Sequence, residues 1–436
     1  MRTLFGILWL AVASQAVAAP SRDDILAWIK TYADATTLDQ PMGALGATEL
    51  ERLVAYIPPG LYEEFDFPEL ELVVDRTARY APHAIYRAET AAHAGQAGVG
   101  ANGELENYTV GQPFSREQIE QAEPHAAGYM VAWNHIYRWQ YRGYMTENLV
   151  MNYVDRAASG GGGTLNDGFV GGGHISRYVA QAYYRVYLSH IAGLGESGYR
   201  VADDDAARLL WKDFIDITEP RDLKGTRFVV ERALATDEED QVNSYLPSER
   251  RIRRLSARER ADAFLGSNYS LDDFEGFSGR IADFEWTYLG RKAVLQVADT
   301  RESLAYFHGP ASRVAKDIWQ VRPCHVVEIK PKWADHPMAS KIIFVDEDTW
   351  NVDLALLFSR DNALWKSIQT IYHRADNDGP DAPPGATVSR WTASVAINFK
   401  VDDATVTRAI EPVDFPEFDA DEMRRKFSVS SLSEGR

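Results

Sequence analysis

The chain has 436 residues and carries 64 acidic against 46 basic side chains, which gives a formal net charge of −18. An electrostatic field of that sign repels nucleic acid and anionic lipid surfaces, so no nucleic-acid partner is expected. Hydrophobic residues make up 45% of the chain, which is enough for a sizeable core and too many for a disordered protein.

The first predicted element is a secretory signal peptide at residues 1–18. Arg2 precedes an apolar run from Leu4 to Val12, and Ala16-Val17-Ala18 is a typical cleavage pattern of small residues. The run is shorter than the roughly 20 residues that cross a bilayer, and no comparable stretch follows it. Because the single cysteine, Cys324, lies far from the cleavage site, neither a lipid tether nor an internal disulfide is expected. The sequence therefore predicts an exported, periplasmic protein without a membrane anchor.

Residues 19–215 are predicted to form a helical or irregular N-terminal extension. Capping-box spacing at Ser21–Asp24 and at Thr48–Glu51 indicates two helix starts, where side chains can satisfy the free N–H groups of the first turn. A further helical stretch is predicted over 126–141. Its C-terminal half mixes aromatic and basic residues as single-strand nucleic-acid binders do, but export and net acidity favour an amphipathic helix that covers a barrel mouth or contacts a partner.

From about Gly225 the pattern changes to alternating apolar and polar residues. This pattern predicts an antiparallel β domain over residues 216–412, followed by a C-terminal tail over 413–436. The clearest strands are 350–358 and 391–401, and in each of them every second residue is expected to lie on one apolar face. The predicted fold class is therefore α+β, mainly antiparallel β.

The stretch Gln241–Leu289 is the most informative part of this domain. Pro247 can end a strand but cannot donate to a sheet, and Arg250 to Leu255 resembles a returning strand, so a tight hairpin is predicted. Ser270 to Asp273 has the spacing of a helix start. In the strand that follows, alternate residues share one apolar face, namely Phe284, Trp286 and Tyr288.

Six stretches, in order along nearly the whole mature chain, are specific in combination. They are GELENYTVGQPF (103–114), AWNHIYRW (132–139), RDLKGTRF (221–228), YLPSERRIRRLSARERADAFLGSNYSLDDF (245–274), WQVRPCHVVEIKPK (319–332) and KIIFVDEDTW (341–350). Together they resemble the exported Gram-negative family known as domain of unknown function 1329, which is grouped with the LolA/LolB-like lipoprotein carriers.

The resemblance implies a LolA/LolB-like half-open β-barrel with a helical lid over an apolar cavity. It also implies a periplasmic carrier or sensor of hydrophobic molecules, often encoded near RND-type exporters and outer-membrane proteins, with no catalytic residues and no cofactor. The chain departs from the lipoprotein carriers in length, because they lack an N-terminal region of this size. A lipoprotein is therefore not implied as its cargo.

Strand alternation also selects the residues that we expect to contact the ligand. The cavity wall is predicted to contain Trp286, Tyr288, Trp319, Phe344, Trp350 and Leu356, with Arg250 and Arg253 at its rim. The arginines of this region admit three interpretations, which are protection of an edge strand, contact with an anionic head group, and ion pairs with Asp262, Asp272, Asp273 or Glu275.

These observations predict a periplasmic carrier or binding protein for a hydrophobic ligand, such as a lipid or a lipidated molecule, that serves an envelope export system. The alternative is a non-catalytic adaptor of an outer-membrane or RND-type export complex, whose barrel is packed solid. Cavity volume distinguishes the two, because a carrier needs internal space.

Signals for catalysis or metal binding are weak. No two histidines have the spacing of metal ligands, so no metal site is expected. Cys324 and His325 are adjacent on a predicted strand and point to opposite faces, which argues against a thiolate nucleophile. A remote alternative is a hydrolase that uses Asp283 and Glu285, which would lie roughly 7 Å apart on one strand face.

Overall fold

The computed structural model describes residues 19–155, 174–256, 258–374 and 387–433, and the predicted signal peptide lies outside these ranges. The described residues form five α-helices, which are α1 (Arg22–Thr31), α2 (Ala84–Ala92), α3 (Arg116–Gln121), α4 (Pro124–Ile136) and α5 (Ala420–Lys426). They also form nineteen strands, which are β1 (Gly43–Leu45), β2 (Leu72–Asp75), β3 (Gly98–Val99), β4 (Leu105–Glu106), β5 (Gly143–Asp155), β6 (His174–Tyr187), β7 (Leu209–Glu219), β8 (Arg227–Ala233), β9 (Gln241–Leu246), β10 (Arg251–Leu255), β11 (Phe284–Gln296), β12 (Phe307–His308), β13 (Val314–Ala315), β14 (Ile318–Pro331), β15 (Ser340–Asp346), β16 (Val352–Phe358), β17 (Leu364–His373), β18 (Arg390–Asn398) and β19 (Asp403–Ala409).

Capping side chains fix the starts of the helices. Ser21 and Asp24 form the predicted capping box of α1. The start predicted at Thr48 is shifted, because Glu49 accepts the N–H of Gly46 and begins a 3₁₀ helix over Ala47–Leu53. Helix α4 ends at Ile136 and is buried on nearly every side, so it is a core helix and not the amphipathic helix predicted over 126–141.

One large sheet organises the molecule. Its strand order is β1-β2-β14-β15-β16-β17-β18-β19-β5-β6-β7-β8-β9-β10, with β11 paired to the free side of β14. Neighbouring strands are antiparallel except β2 and β14, which are parallel. Because β10 lies at one edge and β1 and β11 lie at the other, the sheet is half-open. The predicted α+β class with a mainly antiparallel, open sheet is confirmed.

The sheet extends across the boundary that the sequence predicted at residue 216. That residue lies inside β7, and β5 and β6 occupy the middle of the same sheet although they precede it in the chain. On β6, residues of both faces are buried, since Tyr183 and Tyr184 belong to different hydrophobic clusters. A strand covered on both faces has no simple apolar alternation, which is why the sequence pattern did not reveal it.

Two β-bulges reverse the alternation predicted for the clearest strands. The β15–β16 register shifts so that Asp353 is the additional residue, and the β17–β18 register shifts in the same way at Thr392. Val352 and Trp391 consequently face the cluster around α4, whereas the residues two positions later face the opposite cluster. The prediction of one apolar face along each whole strand is wrong at these points.

The sheet has an inner face, which carries α4, and an outer face, which carries α1 and α5. On the inner face Gly128 of α4 approaches β11 so closely that a Cβ would lie 2.8 Å from the carbonyl carbon of Trp286. On the outer face Trp28 of α1 packs edge-on against Phe344, with ring centroids 6.2 Å apart. The sheet is thus the middle layer of the fold.

Candidate functional site

The chain between β10 and β11 folds onto the inner face of the sheet. We call residues 258–279 the cover segment. Asn268 donates its backbone N–H to Thr405 Oγ1 at 3.0 Å, and the Tyr269 hydroxyl donates to the Thr405 carbonyl at 3.2 Å. Gly276 has φ +81°, and a Cβ there would lie 2.4 Å from a methyl carbon of Val352, so glycine permits this close approach. The cover segment therefore contacts strands from both halves of the sheet.

Buried ion pairs hold the cover segment in place. Glu275 accepts a hydrogen bond from Arg138 at 2.6 Å, and Asp273 accepts one from Lys341 of β15 at 2.7 Å. Arg260 lies 3.1 Å from Asp240 and donates to Asp272 at 2.9 Å. One of the three interpretations of the arginines at 250–254 paired them with Asp272, Asp273 or Glu275, but these carboxylates have the other partners named here. The partners of Glu275 and Asp273 are 137 and 68 residues away in the chain, so sequence spacing could not identify them.

A cleft that we call the inner cavity lies between the cover segment and the sheet, and its empty space of about 750 Å³ includes space open to solvent. Six neighbouring strands, from β18 through β19, β5, β6 and β7 to β8, form its floor. Floor residues are Leu149, Met151, Gln181, Tyr183, Arg185, Trp211, Asp213, Ile215, Val230, Arg232, Trp391, Ser394 and Thr407. Roof residues are Arg260, Phe264, Tyr269, Ser270, Leu271, Asp273, Phe274 and Ser278. Most of the lining is aromatic or aliphatic, and the charged residues lie on β6, β7 and β8 (Arg185, Asp213 and Arg232) and on the cover segment (Arg260 and Asp273).

Strand periodicity places the floor residues. Gln181, Tyr183 and Arg185 are alternate residues of β6 and point to one face. Trp211 and Asp213 do the same on β7. If residues 174–219 had been predicted as strands, their alternation would have identified this face. Most of these residues were predicted to form a helical or irregular extension instead. The bulge at Thr392 brings Trp391 into the cavity floor. Without the bulge, Trp391 lies an odd number of residues before Ser394 and would point to the outer face of the sheet.

Arg185 is the most completely neutralised cation of the cavity. Its Nε and Nη2 donate to the two carboxylate oxygens of Asp213 at 2.6 and 2.9 Å, and its guanidinium lies 4.6 Å from the ring centroid of Trp211. Burial opposes the charge on Arg185, but Asp213, Tyr144 and Tyr183 together outweigh burial and raise the pKa of Arg185 well above its ordinary value. Arg185 therefore stays charged inside the protein.

Arg232 lies on the other side of the same charged region. Its guanidinium is 4.5 Å from the Trp211 ring centroid, its Nε is 2.9 Å from Asp240, and its Nη1 donates to the Gly279 carbonyl at 3.0 Å. Burial lowers the pKa of Arg232, and the neighbouring Arg260 lowers it further against the opposing effect of Asp240. Trp211 thus contacts two guanidinium groups that are both paired with carboxylates.

The cover segment also lines a second, side cavity, whose empty space of about 770 Å³ likewise includes space open to solvent. Tyr269, Ser270 and Asp273 line both cavities, so the segment stands between them. Lys366 lines the side cavity and donates to the Asn268 carbonyl at 3.2 Å.

The structure does not bring the eight predicted ligand residues together. Trp286 is fully buried beneath α4, where its indole N–H donates to the Ile281 carbonyl at 3.0 Å. Trp350 stacks on His325 with ring centroids 5.0 Å apart, and the Tyr288 hydroxyl lies 3.1 Å from His325 Nδ1. These inner-face residues are packed against protein, and they do not line the inner cavity.

The other three apolar residues belong to the outer face. Trp319 packs edge-on against Phe65 with ring centroids 5.3 Å apart, and Phe344 packs against α1. Leu356 is fully buried in the same outer cluster. For Leu356 the reason is the bulge at Asp353, after which the residues of β16 face the opposite side of the sheet from Val352.

Arg250 and Arg253 lie at the exposed edge of the sheet, in the predicted hairpin of β9 and β10, which is confirmed. The side chain of Arg253 is 55% exposed and pairs with Glu259. Leu255, the last residue of β10, packs against the cluster that contains the cavity lining. A rim role for the two arginines stays a prediction, and the position of β10 fits edge protection by charge.

The residues considered for catalysis lie apart from the cavity. Cys324 is buried in the outer cluster, and burial raises the pKa of its thiol well above the ordinary value. Asp283 pairs with Arg280 at 2.9 Å, and Glu285 is exposed. In the described ranges no three His, Cys, Asp or Glu side chains are grouped to hold a metal ion, and none of the helices there is long and apolar enough to span a bilayer.

Comparison with known proteins gives one family match. The model of the family described as protein of unknown function DUF1329 matches residues 47–433. A crystal structure of a DUF1329 protein from Desulfovibrio piger is similar at 16% identity and a TM-score of 0.46, over 71% of this chain and 100% of that chain. A domain described as outer membrane lipoprotein-sorting, from Vibrio parahaemolyticus, is similar at 16% identity and a TM-score of 0.45, over 70% and 97%. A LolA superfamily protein from Nitrosomonas europaea is similar at 11% identity and a TM-score of 0.36, over 66% and 91%. No curated protein matches the chain.

Proposed function

The chain belongs to the DUF1329 family of proteins of unknown function, and from that premise we propose that it is an exported, non-catalytic carrier that binds a hydrophobic molecule in the inner cavity. The inner cavity carries this proposal. Most of its lining is aromatic or aliphatic, which is typical of small-molecule sites. Burial of apolar ligand surface at roughly 25 cal/mol per Å² would supply the binding free energy, before ordering costs.

In this proposal the cover segment moves when a ligand enters the inner cavity. The segment forms the roof, and its buried charges are all paired in the closed position. Opening would therefore separate ion pairs such as Glu275–Arg138, which favours a closed resting state. The periplasmic location follows from the predicted signal peptide, and service to an envelope export system follows from the family resemblance, so both are parts of the proposal.

Titration with the fluorescent apolar probe phenylnaphthylamine tests the proposal. Val230 lines the cavity floor, so Val230→Trp should fill the space and abolish the rise in probe fluorescence seen with the wild-type protein. Val401→Trp is the matched control, because Val401 is 64% exposed and lies outside the cavity. Equal probe binding by both variants would contradict a site in the inner cavity.

One observation favours the adaptor alternative. Ion pairs hold the cover segment against the inner face of the sheet, where it occupies space that a carrier would need for its ligand. An adaptor would bind no probe and would retain an outer-membrane or exporter protein through chemical cross-linking in cells. A carrier would bind the probe whether or not such a partner is captured.

A further inference from the structure

The polar groups of the inner cavity indicate which class of molecule it accepts, an inference that rests on the proposed carrier function. We propose that the ligand is an uncharged amphiphile, whose hydrogen-bonding groups contact Gln181 and Trp391, and that a fatty-acid-like anion is disfavoured. Acylglycerols, long-chain alcohols and fatty amides belong to this class.

The first argument is charge balance. Three guanidinium groups reach the cavity, and each is already paired with carboxylate oxygen, Arg185 with Asp213, Arg232 with Asp240, and Arg260 with Asp240 and Asp272. An incoming anion would meet a region that is neutral overall and lies close to these carboxylates. Burying an additional charge without an unpaired cation is costly, so the arginines select against anions despite their number.

The second argument is that four neutral groups of the described lining are unsatisfied; the hydroxyls of Tyr183 and Thr407 can donate or accept, so the groups of Gln181 and Trp391 are the ones that select a ligand. The side chains of Gln181 and Trp391 are about nine-tenths buried or more, at 4% and 5% exposure, and both line the cavity. Among the described residues, the Gln181 amide oxygen and the Trp391 indole N–H have no hydrogen-bond partner. An unpaired buried polar group costs about 1–3 kcal/mol, so a ligand that pairs with it gains affinity.

The chemistry of the two atoms defines the ligand groups. The indole N–H of Trp391 donates only, so it needs a carbonyl, ester or hydroxyl oxygen, and the amide oxygen of Gln181 accepts, so it needs a hydroxyl or N–H. The two residues lie on β18 and β6, three strands apart in the sheet, a spacing of about 14 Å along the curved floor. They would therefore contact separate polar groups of one molecule.

Displacement of phenylnaphthylamine by matched twelve-carbon ligands tests the proposal at pH 8, below their micellar concentrations. Monododecanoylglycerol should displace the probe at a concentration at least about tenfold lower than dodecanoate does. Equal or tighter binding of dodecanoate would overturn the inference and leave the carrier proposal standing. Absence of probe binding to the wild-type protein would overturn both.

Shape-conserving variants separate hydrogen bonding from folding. Gln181→Leu and Trp391→Phe should weaken monododecanoylglycerol about fivefold or more relative to their effect on the probe, whereas Trp333→Phe, outside the cavity lining, should change neither. Asp213→Asn should expose the charge of Arg185 and raise dodecanoate affinity about tenfold or more. Unchanged selectivity in all three cavity variants would contradict the assignment.

Discussion

Arg185 and Asp213 face each other in register on β6 and β7, and two parallel hydrogen bonds of 2.6 and 2.9 Å join them at the wall of the inner cavity. The pair makes this wall polar without giving it net charge. Because the same pair joins β6 to β7, a substitution in it changes both the polarity of the cavity wall and the stability of these two strands.

Removal of one member of this pair should be costly. Asp213→Asn removes the closest counter-charge of the buried Arg185 and leaves only Glu275 at 3.8 Å, which already pairs with Arg138, so we expect the free energy of unfolding to fall by about 3 kcal/mol. Urea denaturation measures the change. Arg253→Gln breaks an exposed pair with Glu259 and should cost less than about 1 kcal/mol. Similar decreases in the free energy of unfolding for the two variants would show that the buried pair stabilises the fold no more than the exposed pair does.

Gly128 should resist substitution even though it lies in a helix. Alanine is favoured over glycine in a helix by about 1 kcal/mol, but a Cβ at 128 would lie 2.8 and 2.9 Å from backbone atoms of β11. We expect Gly128→Ala to lower the free energy of unfolding by roughly 1–3 kcal/mol, because the backbone cannot yield as a flexible side chain would. Thermal denaturation tests this, with Gly195→Ala as control, since a Cβ at 195 has ordinary contacts of 3.5 Å or more.

His325 should make the protein less stable in acid. Burial lowers the pKa of His325 from 6.5 to about 4 in the folded protein, where its ring stacks on Trp350. Between these values the unfolded chain binds a proton that the folded protein does not, so stability is full above pH 6.5 and falls as pH decreases toward 4. At pH 5 the loss from this residue is about 2 kcal/mol. Denaturant unfolding at pH 7.5 and pH 5 should show a smaller pH difference in His325→Phe than in the wild type, and an equal difference would contradict the assignment.

The arginines of β10 should keep the sheet edge from pairing with a second molecule. Arg251→Val/Arg253→Val removes charge from the exposed edge and should cause concentration-dependent self-association, measured by light scattering after size exclusion. Arg424→Val/Arg425→Val makes the same change in net charge on α5 and should stay at the wild-type mass. If both double variants associate alike, general charge loss and not edge exposure is responsible.

The sequence predicted local features well and long-range ones poorly. The β9–β10 hairpin and the alternation of Phe284 and Trp286 depend on neighbouring residues, and both are confirmed. The β16 face was misassigned because a bulge at Asp353 depends on the register with β15, which strand alternation alone does not encode.

The cavity itself was not predictable from apolar alternation. Its β6 residues were missed because the residues between them, such as Tyr184, are buried beneath α5 on the outer face. The ion pairs of the cover segment join residues up to 137 positions apart, as in Arg138–Glu275. No spacing rule identifies such partners, although the cover segment itself belongs to the stretch that the sequence marked as most informative.

The carrier account is tested most directly by native mass spectrometry of the protein purified from the periplasm of cells, followed by organic extraction of whatever dissociates. The account predicts a co-purifying apolar molecule on the wild-type protein and on Val401→Trp, and its loss from Val230→Trp with folding retained by circular dichroism. Wild-type protein that carries no molecule and binds no phenylnaphthylamine would contradict it.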